Sequence, residues 1–195
     1  MSVNLKKGQK INLSKEKEGL SRVIVGLGWD AAERTGGFFS RKPASIDCDA
    51  SAFVLQNGHL NGRDDIVYFA HLDHPSDAIH HMGDNLTGDG DGDDEQIVVD
   101  LKKLPDAYDR VVVVCNIYHA HAKRQNFGMI CNAFIRICDA ATGQELCRFN
   151  LTDDYSSATA VIFGELYRHN GEWKFNAVGQ GTSDGSISEV ARRYQ

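Results

Sequence analysis

The segment Gly83–Gln96, GDNLTGDGDGDDEQ, carries six acids (Asp84, Asp89, Asp91, Asp93, Asp94 and Glu95) and no base. The whole chain of 195 residues has 27 acids against 21 Lys and Arg, a formal net charge of −6 with His neutral, so the charges outside this segment balance. Crowded carboxylates repel: a like-charge pair at about 4 Å costs roughly 1 kcal/mol in water and about 4 kcal/mol at an effective dielectric near 20. A loop between two strands cannot spread its charges as a free tail can. Its interspersed glycines let the main chain wrap and present carbonyls together with carboxylates. That donor set suits a hard divalent cation. Ca²⁺, which takes about six to eight oxygens in irregular geometry, fits it better than Mg²⁺, which wants a strict octahedron and keeps its waters.

Known calcium loops fail on register. An EF-hand starting at Asp89 would put Asp94 where the turn needs Gly and Asp100 where Glu is usual, and its flanks read as strands. A calcium-binding β-helix needs repeated glycine-rich blocks, and there is one. The bland alternative is a solvated acidic loop that binds nothing. Further carboxylates lie in Ile46–Phe53, IDCDASAF. In a strand Ile46, Cys48, Ala50 and Ala52 share one face and Asp47, Asp49 and Ser51 the other, with the two acids about 7 Å apart. Asp30 closes an earlier strand, GLGWD. These three acids are expected to complete a cation cage from neighbouring strands; the alternative is that Asp47 and Asp49 face water.

Other constellations are weaker. His71, His74, His80 and His81 crowd one region, and His119 and His121 would share a strand face, a spacing that zinc sites use. Cys131, Cys138 and Cys147 have no zinc spacing and are expected in the core. Ser76 beside His74 and Asp77 is sequence proximity rather than a triad. GLG at 26–28 lacks the third glycine and following helix of a dinucleotide fingerprint.

The elements that must hold these residues have period two. VIVGLGWD (23–30), SAFVLQ (51–56), IVYFAHL (66–72), QIVVDL (96–101), RVVVVCNIYHAH (110–121), AFIRICDA (133–140), ELCRFNL (145–151), AVIFGELYRH (160–169) and EWKFNAVGQ (172–180) read as strands. Asn170–Gly171 marks a two-residue hairpin. Val111–Val114, apolar on both faces, is expected to be a central strand. Pro105–Arg110 reads as one helical turn, and Ile187–Arg193 as a short terminal helix capped by Ser186. Glu33–Ser45 reads as an exposed loop. The expectation is one domain over 1–195, an all-β, two-sheet antiparallel β-sandwich with a few short helical turns.

Composition bounds the rest. An apolar fraction of 42% and a charged fraction of 25% are ordinary for a globule. No run approaches the roughly 20 apolar residues of a membrane span, and the N-terminus has no signal-like apolar core. Five cysteines without a framework fit reduced thiols in the cytoplasm. The acidic balance argues against a nucleic-acid partner.

The blocks VGLGWD (25–30), DCDASAF (47–53), GDNLTGDGDGDDE (83–95), QNFGM (125–129), NAFIR (132–136) and FGELYRHNGEWKFNAVGQG (163–181) together resemble the TerD family, the tellurium-resistance and stress-response proteins of bacteria. The resemblance implies a calcium-binding β-sandwich of the cytoplasm, not an enzyme. It maps the metal ligands, for one or two Ca²⁺, onto Asp30, Asp47, Asp49, Asp84, Asn85, Asp93, Asp94 and Glu95. It implies partners among other TerD-like proteins or membrane proteins of the same system. Departures are Cys48 where relatives usually have Leu, and Ala70–His71 and His74–Ala78 where they carry an Asn-Asn pair and a Ser-Pro-Asp-Gly turn. Two rival classes are a calcium-dependent small-ligand or nucleotide-binding module using bases such as Lys123 or Arg124, and a metal-dependent hydrolase using the histidine region or calcium as a Lewis acid, for which loss of turnover in His119→Ala would speak.

Overall fold

The computed structural model describes residues 2–31, 46–83 and 92–195. The expected Glu33–Ser45 loop lies outside the described residues. Among the described residues twelve strands form two six-stranded sheets. The first runs, in spatial order, β1 (Val3–Leu5), β10 (Glu145–Asn150), β9 (Ile130–Asp139), β3 (Arg22–Ala31), β7 (Glu95–Asp100) and β6 (Ile79–His81). The second runs β2 (Lys10–Asn12), β12 (Glu172–Thr182), β11 (Ala160–His169), β8 (Arg110–Ile117), β4 (Cys48–Leu55) and β5 (Ile66–Val67). All pairings are antiparallel except β1 with β10, which is parallel. This is the two-sheet sandwich expected from the sequence.

Alternation fixes which residues meet. The inner faces contribute Val23, Val25 and Leu27 of β3, Ile97 and Val99 of β7 and Ile135 and Ile137 of β9, packed with Cys48, Ala50, Ala52 and Val54 of β4 and Val111, Val113 and Cys115 of β8. The outer face of the second sheet carries a second apolar cluster, Phe53, Leu55, Val112, Val114, Ala160 and Ile162. Val190 and Ala191 of a short helix, α3 (Ile187–Ala191), cover it. Burying Val190 completely contributes about 1.5–3 kcal/mol to holding that helix down. Covered on both faces and paired on both edges, β8 is the central strand that the Val run indicated.

Ser186 caps α3, its hydroxyl accepting from Glu189 N–H at 3.3 Å. Asn170 and Gly171 turn the β11–β12 hairpin at φ 53° and 74°, the pair of positive values that a type I′ turn requires. Three expectations are corrected. The run at 66–72 is a strand only over Ile66–Val67, because Tyr68 pairs back onto His71 across a two-residue turn. The run at 110–121 ends at Ile117: His119 takes φ 57°, and a single helical turn, α2 (Ala120–Lys123), buries Ala120 and closes at Arg124. Pro105–Arg110 is a turn, with Tyr108 N–H donating to the Pro105 carbonyl, and not a helix. A one-turn helix near the N-terminus, α1 (Leu13–Glu16), and the short strands β1, β2 and β6 had no sequence signal. No helix among the described residues is long and apolar enough to cross a membrane.

Candidate functional site

Asp93, Asp94 and Glu95 stand where the acidic segment enters β7, and each goes a different way. Glu95 begins the buried alternation of that strand and is 2% exposed, pointing between the sheets. Its Oε2 accepts from Ala50 N–H at 2.5 Å and lies 3.5 Å from His81 Nε2. His81 Nδ1 accepts from Gly83 N–H at 3.2 Å, which leaves the ring proton on Nε2, facing the Ala50 carbonyl at 3.2 Å and Glu95. Asp94 ties the segment to β3. Its own N–H donates to the Leu27 carbonyl, and its Oδ2 accepts from Trp29 N–H, both at 2.7 Å. The β3–β9 register shifts between Gly28 and Asp30, and this bulge takes the Trp29 N–H out of the ladder and offers it to Asp94.

Asp93 turns to the outer face of the first sheet. Arg136 of β9 grips it with Nε on Oδ1 at 2.7 Å and Nη2 on Oδ2 at 3.1 Å, and Gln96 Nε2 adds a bond at 2.9 Å. A Cβ on Gly26 would collide with this carboxylate, so a larger residue there would push Asp93 off Arg136. Contact with Asp93 also holds the Arg136 guanidinium more firmly charged.

Asp30 is exposed, and its Oδ2 accepts from Asn132 Nδ2 at 2.8 Å. With Asp94, Trp29, Gly92, Asn132, Phe134 and Arg148 it lines a cavity of about 200 Å³. Asp47 and Asp49 lie on the face predicted for them, opposite Cys48 and Ala50. That is the outer face of the second sheet, where Asp49 pairs across the ladder with Asn116. Asp49 is 4% exposed. Asp47 Oδ2 is 3.7 Å from Lys123 Nζ, which sits 5.3 Å from the Tyr118 ring centre. Asp84, Asn85, Asp89 and Asp91 lie outside the described residues.

The structure therefore brings Asp94 together with Asp30, and Glu95 with the main chain of β4. It sets Asp47 and Asp49 on the opposite face of β4 from Glu95. Among the described residues no three His, Cys, Asp or Glu are grouped as a metal would need. Of the segment's described acids, Asp94 and Glu95 are carboxylates set by main-chain N–H groups, hard oxygen donors of the type that a divalent cation takes.

The histidine region resolves into separate local bonds. His71 Nδ1 meets the Ile66 carbonyl at 2.8 Å and His80 Nδ1 meets Asp73 at 2.7 Å. His74, 2% exposed, accepts at Nδ1 from the Ser76 hydroxyl at 2.7 Å and from Ser76 N–H at 3.2 Å. Its Nε2 is 3.2 Å from Asp65 Oδ1, which also accepts from Tyr108 at 3.0 Å. Its acid partner is thus Asp65 and not the neighbouring Asp77, whose carboxylate pairs with Lys103. The Ser76 hydroxyl serves a turn closed by Asp77 N–H on the His74 carbonyl at 2.8 Å. His119 and His121 share no strand face, since α2 intervenes. Of the cysteines expected in the core, Cys138 and Cys147 are buried while Cys131 is exposed. Cys48 and Cys115 are hydrogen-bonded neighbours behind the site; that bond and burial push the Cys115 thiol well up, with Glu95 and Asp49 adding to it. Sequence reasoning grouped His81 with the other histidines and missed its place beside Glu95, and it missed Arg136. Alternation alone put Arg136 on a solvent face; its acid partner 43 residues away carried no local signal.

The family model described as TerD domain matches residues 1–194. The stress response protein SCP2 of Bacillus subtilis (strain 168) is 47% identical over the full length of both chains. The tellurium resistance protein TerD of Serratia marcescens is 45% identical across 100% of this chain and 97% of that protein. A crystal structure described as a homologue of telluride resistance protein (TerD), SCO6318 from Streptomyces coelicolor A3(2), superposes with a TM-score of 0.69 at 22% identity, covering 91% of this chain and 99% of that one. At that identity the likeness speaks for the fold.

Proposed function

The chain belongs to the TerD family of tellurium-resistance and stress-response proteins, and on that premise we propose that it is a non-enzymatic calcium-binding protein of that response, acting in the cytoplasm. Its acidic segment 83–95 takes up Ca²⁺ and so orders a surface for partners, other TerD-like proteins or membrane proteins of the same system. One observation carries this reading: the segment holding the chain's entire excess negative charge is clamped at both ends. Met82 N–H donates to the Gln96 carbonyl at 2.9 Å, joining the two ends directly. Gly83 is held by His81, Asp94 by Trp29 and Glu95 by Ala50. Asp84, Asp89, Asp91 and Asp93 lie between those ends in the sequence, and a divalent ion would relieve repulsion among close carboxylates.

The residues we assign to the ion are Asp84, Asn85, Asp94 and Glu95, with Asp30 at the edge. Asp93 is neutralised by Arg136 and acts as an anchor. Asp49 lies on the far face of β4 from Glu95. Bound Ca²⁺ would supply charge neutralisation and cross-linking of the segment.

A cation that binds only the folded chain at 100 times its dissociation constant adds about 2.7 kcal/mol of stability. EGTA should lower the melting temperature of the protein, Ca²⁺ should restore it, and Mg²⁺ at equal concentration should do much less. Coincident melting curves in the three conditions would remove the proposal.

A further inference from the structure

The turn at His74 holds an arrangement that the calcium reading does not use. Sequence proximity offered Asp77 as the acid beside Ser76 and His74; the fold supplies Asp65 instead, from a short helical turn over Arg63–Asp65. Ser76 Oγ lies 2.7 Å from His74 Nδ1, and His74 Nε2 lies 3.2 Å from Asp65 Oδ1. The Ser76 N–H donates to the same Nδ1 at 3.2 Å, so that nitrogen is an acceptor and the ring proton sits on Nε2, facing Asp65. His74 Nδ1 therefore offers its lone pair to the Ser76 O–H. This is the tautomer that a base acting on a serine hydroxyl needs, with the two ring nitrogens exchanged relative to the chymotrypsin triad; such a set is recognised by geometry and roles.

Each member is fixed by its surroundings. Asp65, 6% exposed, also accepts from the Tyr108 O–H at 3.0 Å and from the Asn61 N–H at 3.2 Å, which hold its carboxylate in place. The Tyr108 ring stands edge-on to the buried imidazole at 5.0 Å. Burial lowers the pKa of His74 against the pull of Asp65, with His71 and Asp64 the other titratable groups acting on it, so the ring is a neutral base at pH 7. Ser76 is half-buried at the tip of a turn whose φ is preset by Pro75. His74 N–H donates to the Ile79 carbonyl at 3.0 Å and seats that turn on β6. The turn itself needs only the bonds from Ser76 and Asp77; the carboxylate behind the ring sets the tautomer.

We propose that Ser76 is a reactive nucleophile, with His74 as its base and Asp65 as the positioning residue, that accepts a small acyl group from an activated donor, a thioester or an acyl phosphate. Ser76 Oγ forms a bond to the carbonyl carbon, and the bond from that carbon to the thiolate or phosphate leaving group breaks. The Oγ proton passes to His74 Nδ1 and on to the leaving group. The donor has to be activated, because the N–H groups of Ser76 and Asp77 are engaged by His74 Nδ1 and the His74 carbonyl and do not wait for a developing oxyanion. The product is the Ser76 O-acyl ester, a modification of the protein rather than a turnover, so it is compatible with a non-enzymatic calcium role and independent of it.

The test incubates the full chain, in EGTA and again in excess Ca²⁺, with S-acetyl-N-acetylcysteamine or acetyl phosphate, and locates the acetyl groups by peptide mass mapping. Neutral hydroxylamine strips acetyl esters and leaves amides, which separates Ser76 from acetylated lysines. Ser76 should be acetylated faster than the exposed Ser157 and Ser183 in both conditions. The faster of the two reagents identifies the donor as thioester or acyl phosphate. The rate at Ser76 should fall below about pH 6.5, as His74 takes up a proton. His74→Gln should cut it about a hundredfold, the ordinary worth of a general base. Asp65→Asn should also cut it and draw the His74 ring proton off Nε2, read from the imidazole ¹⁵N shifts, which a merely structural contact would not do. The native chain decides the matter even where a variant does not fold: acetylation of Ser157 or Ser183 as fast as of Ser76, or a Ser76 rate that does not change between about pH 8 and 5.5, would overturn the proposal. An unaltered rate in folded His74→Gln would do the same.

Discussion

Asp93→Asn separates an anchor from a metal ligand. In the folded chain the Asp93 side chain is 2% exposed and the Arg136 side chain 29% exposed. Three donors converge on the carboxylate, two from Arg136 and one from Gln96. Removing one member of a fully buried ion pair costs about 3–5 kcal/mol. Here water reaches the released guanidinium, and Glu145, 3.5 Å from Arg136 Nη1, remains as a second partner. The amide that replaces the carboxylate would also keep one acceptor oxygen. The cost is therefore discounted to about 2 kcal/mol, which in a domain of this size lowers Tm by about 4–8 °C. Thermal melts in EGTA and in excess Ca²⁺ should show the same loss, with the calcium-induced gain preserved. Arg136→Met should show a similar loss, and the double variant little more than either single one, because the two residues share one interaction. The reasoning is refuted if Asp93→Asn leaves the EGTA melt unchanged and removes the calcium increment, which is the behaviour of a ligand.

Two further outcomes come from groups away from the acidic segment. Of five thiols only Cys131 is exposed, and burial pushes Cys147 up to about 12. Iodoacetamide at pH 8 should therefore label one site in the folded protein and five after denaturation; native labelling at Cys48 or Cys115 would show that the β4–β8 interior opens. Burial lowers the pKa of His74, against the opposing pull of Asp65. The unfolded chain, with His near 6.5, takes up the proton first on acidification. The contribution of His74 is thus complete above about pH 6.5 and is lost as pH falls below it. Urea midpoints between pH 8 and 5.5 should fall more steeply for the native chain than for His74→Gln, and parallel curves would contradict this.

What the sequence made legible was what period two encodes. β7 and most of β12 bury alternate residues as their sequences alternate, and the division of Ile46–Phe53 into a Cys48–Ala50–Ala52 face and an Asp47–Asp49–Ser51 face is reproduced. β6, three residues long, is too short to show a period; it is fixed instead by pairing with β7, as in Ile79 with Val99. The same limit explains the site. Alternation tells which residues share a face of one strand, not which sheet that strand joins. Asp49 and Glu95 both read as ligands of one cage, but β4 lies in the second sheet and β7 in the first. The Asp49 side chain therefore faces outward, while Glu95 reaches the main chain of β4 from inside. His119 and His121 failed for a different reason: the strand pattern continued past Ile117 into residues that bend through a left-handed His119 and a buried Ala120.

The divergence of Asp93, Asp94 and Glu95 also bears on how many ions the segment takes. Strand geometry sends Asp93 outward to Arg136 and Glu95 inward to Ala50, and the bulge at Trp29 captures Asp94 between them. Set against the six acids of the segment, Arg136 leaves a formal count of −5, and the segment's ends are joined through Met82 and Gln96. On the proposed reading one Ca²⁺ would bring that formal count to about −3 and two would bring it to about −1. By formal charge the proposed reading would favour two ions over one, on the acidic segment and its neighbour Asp30.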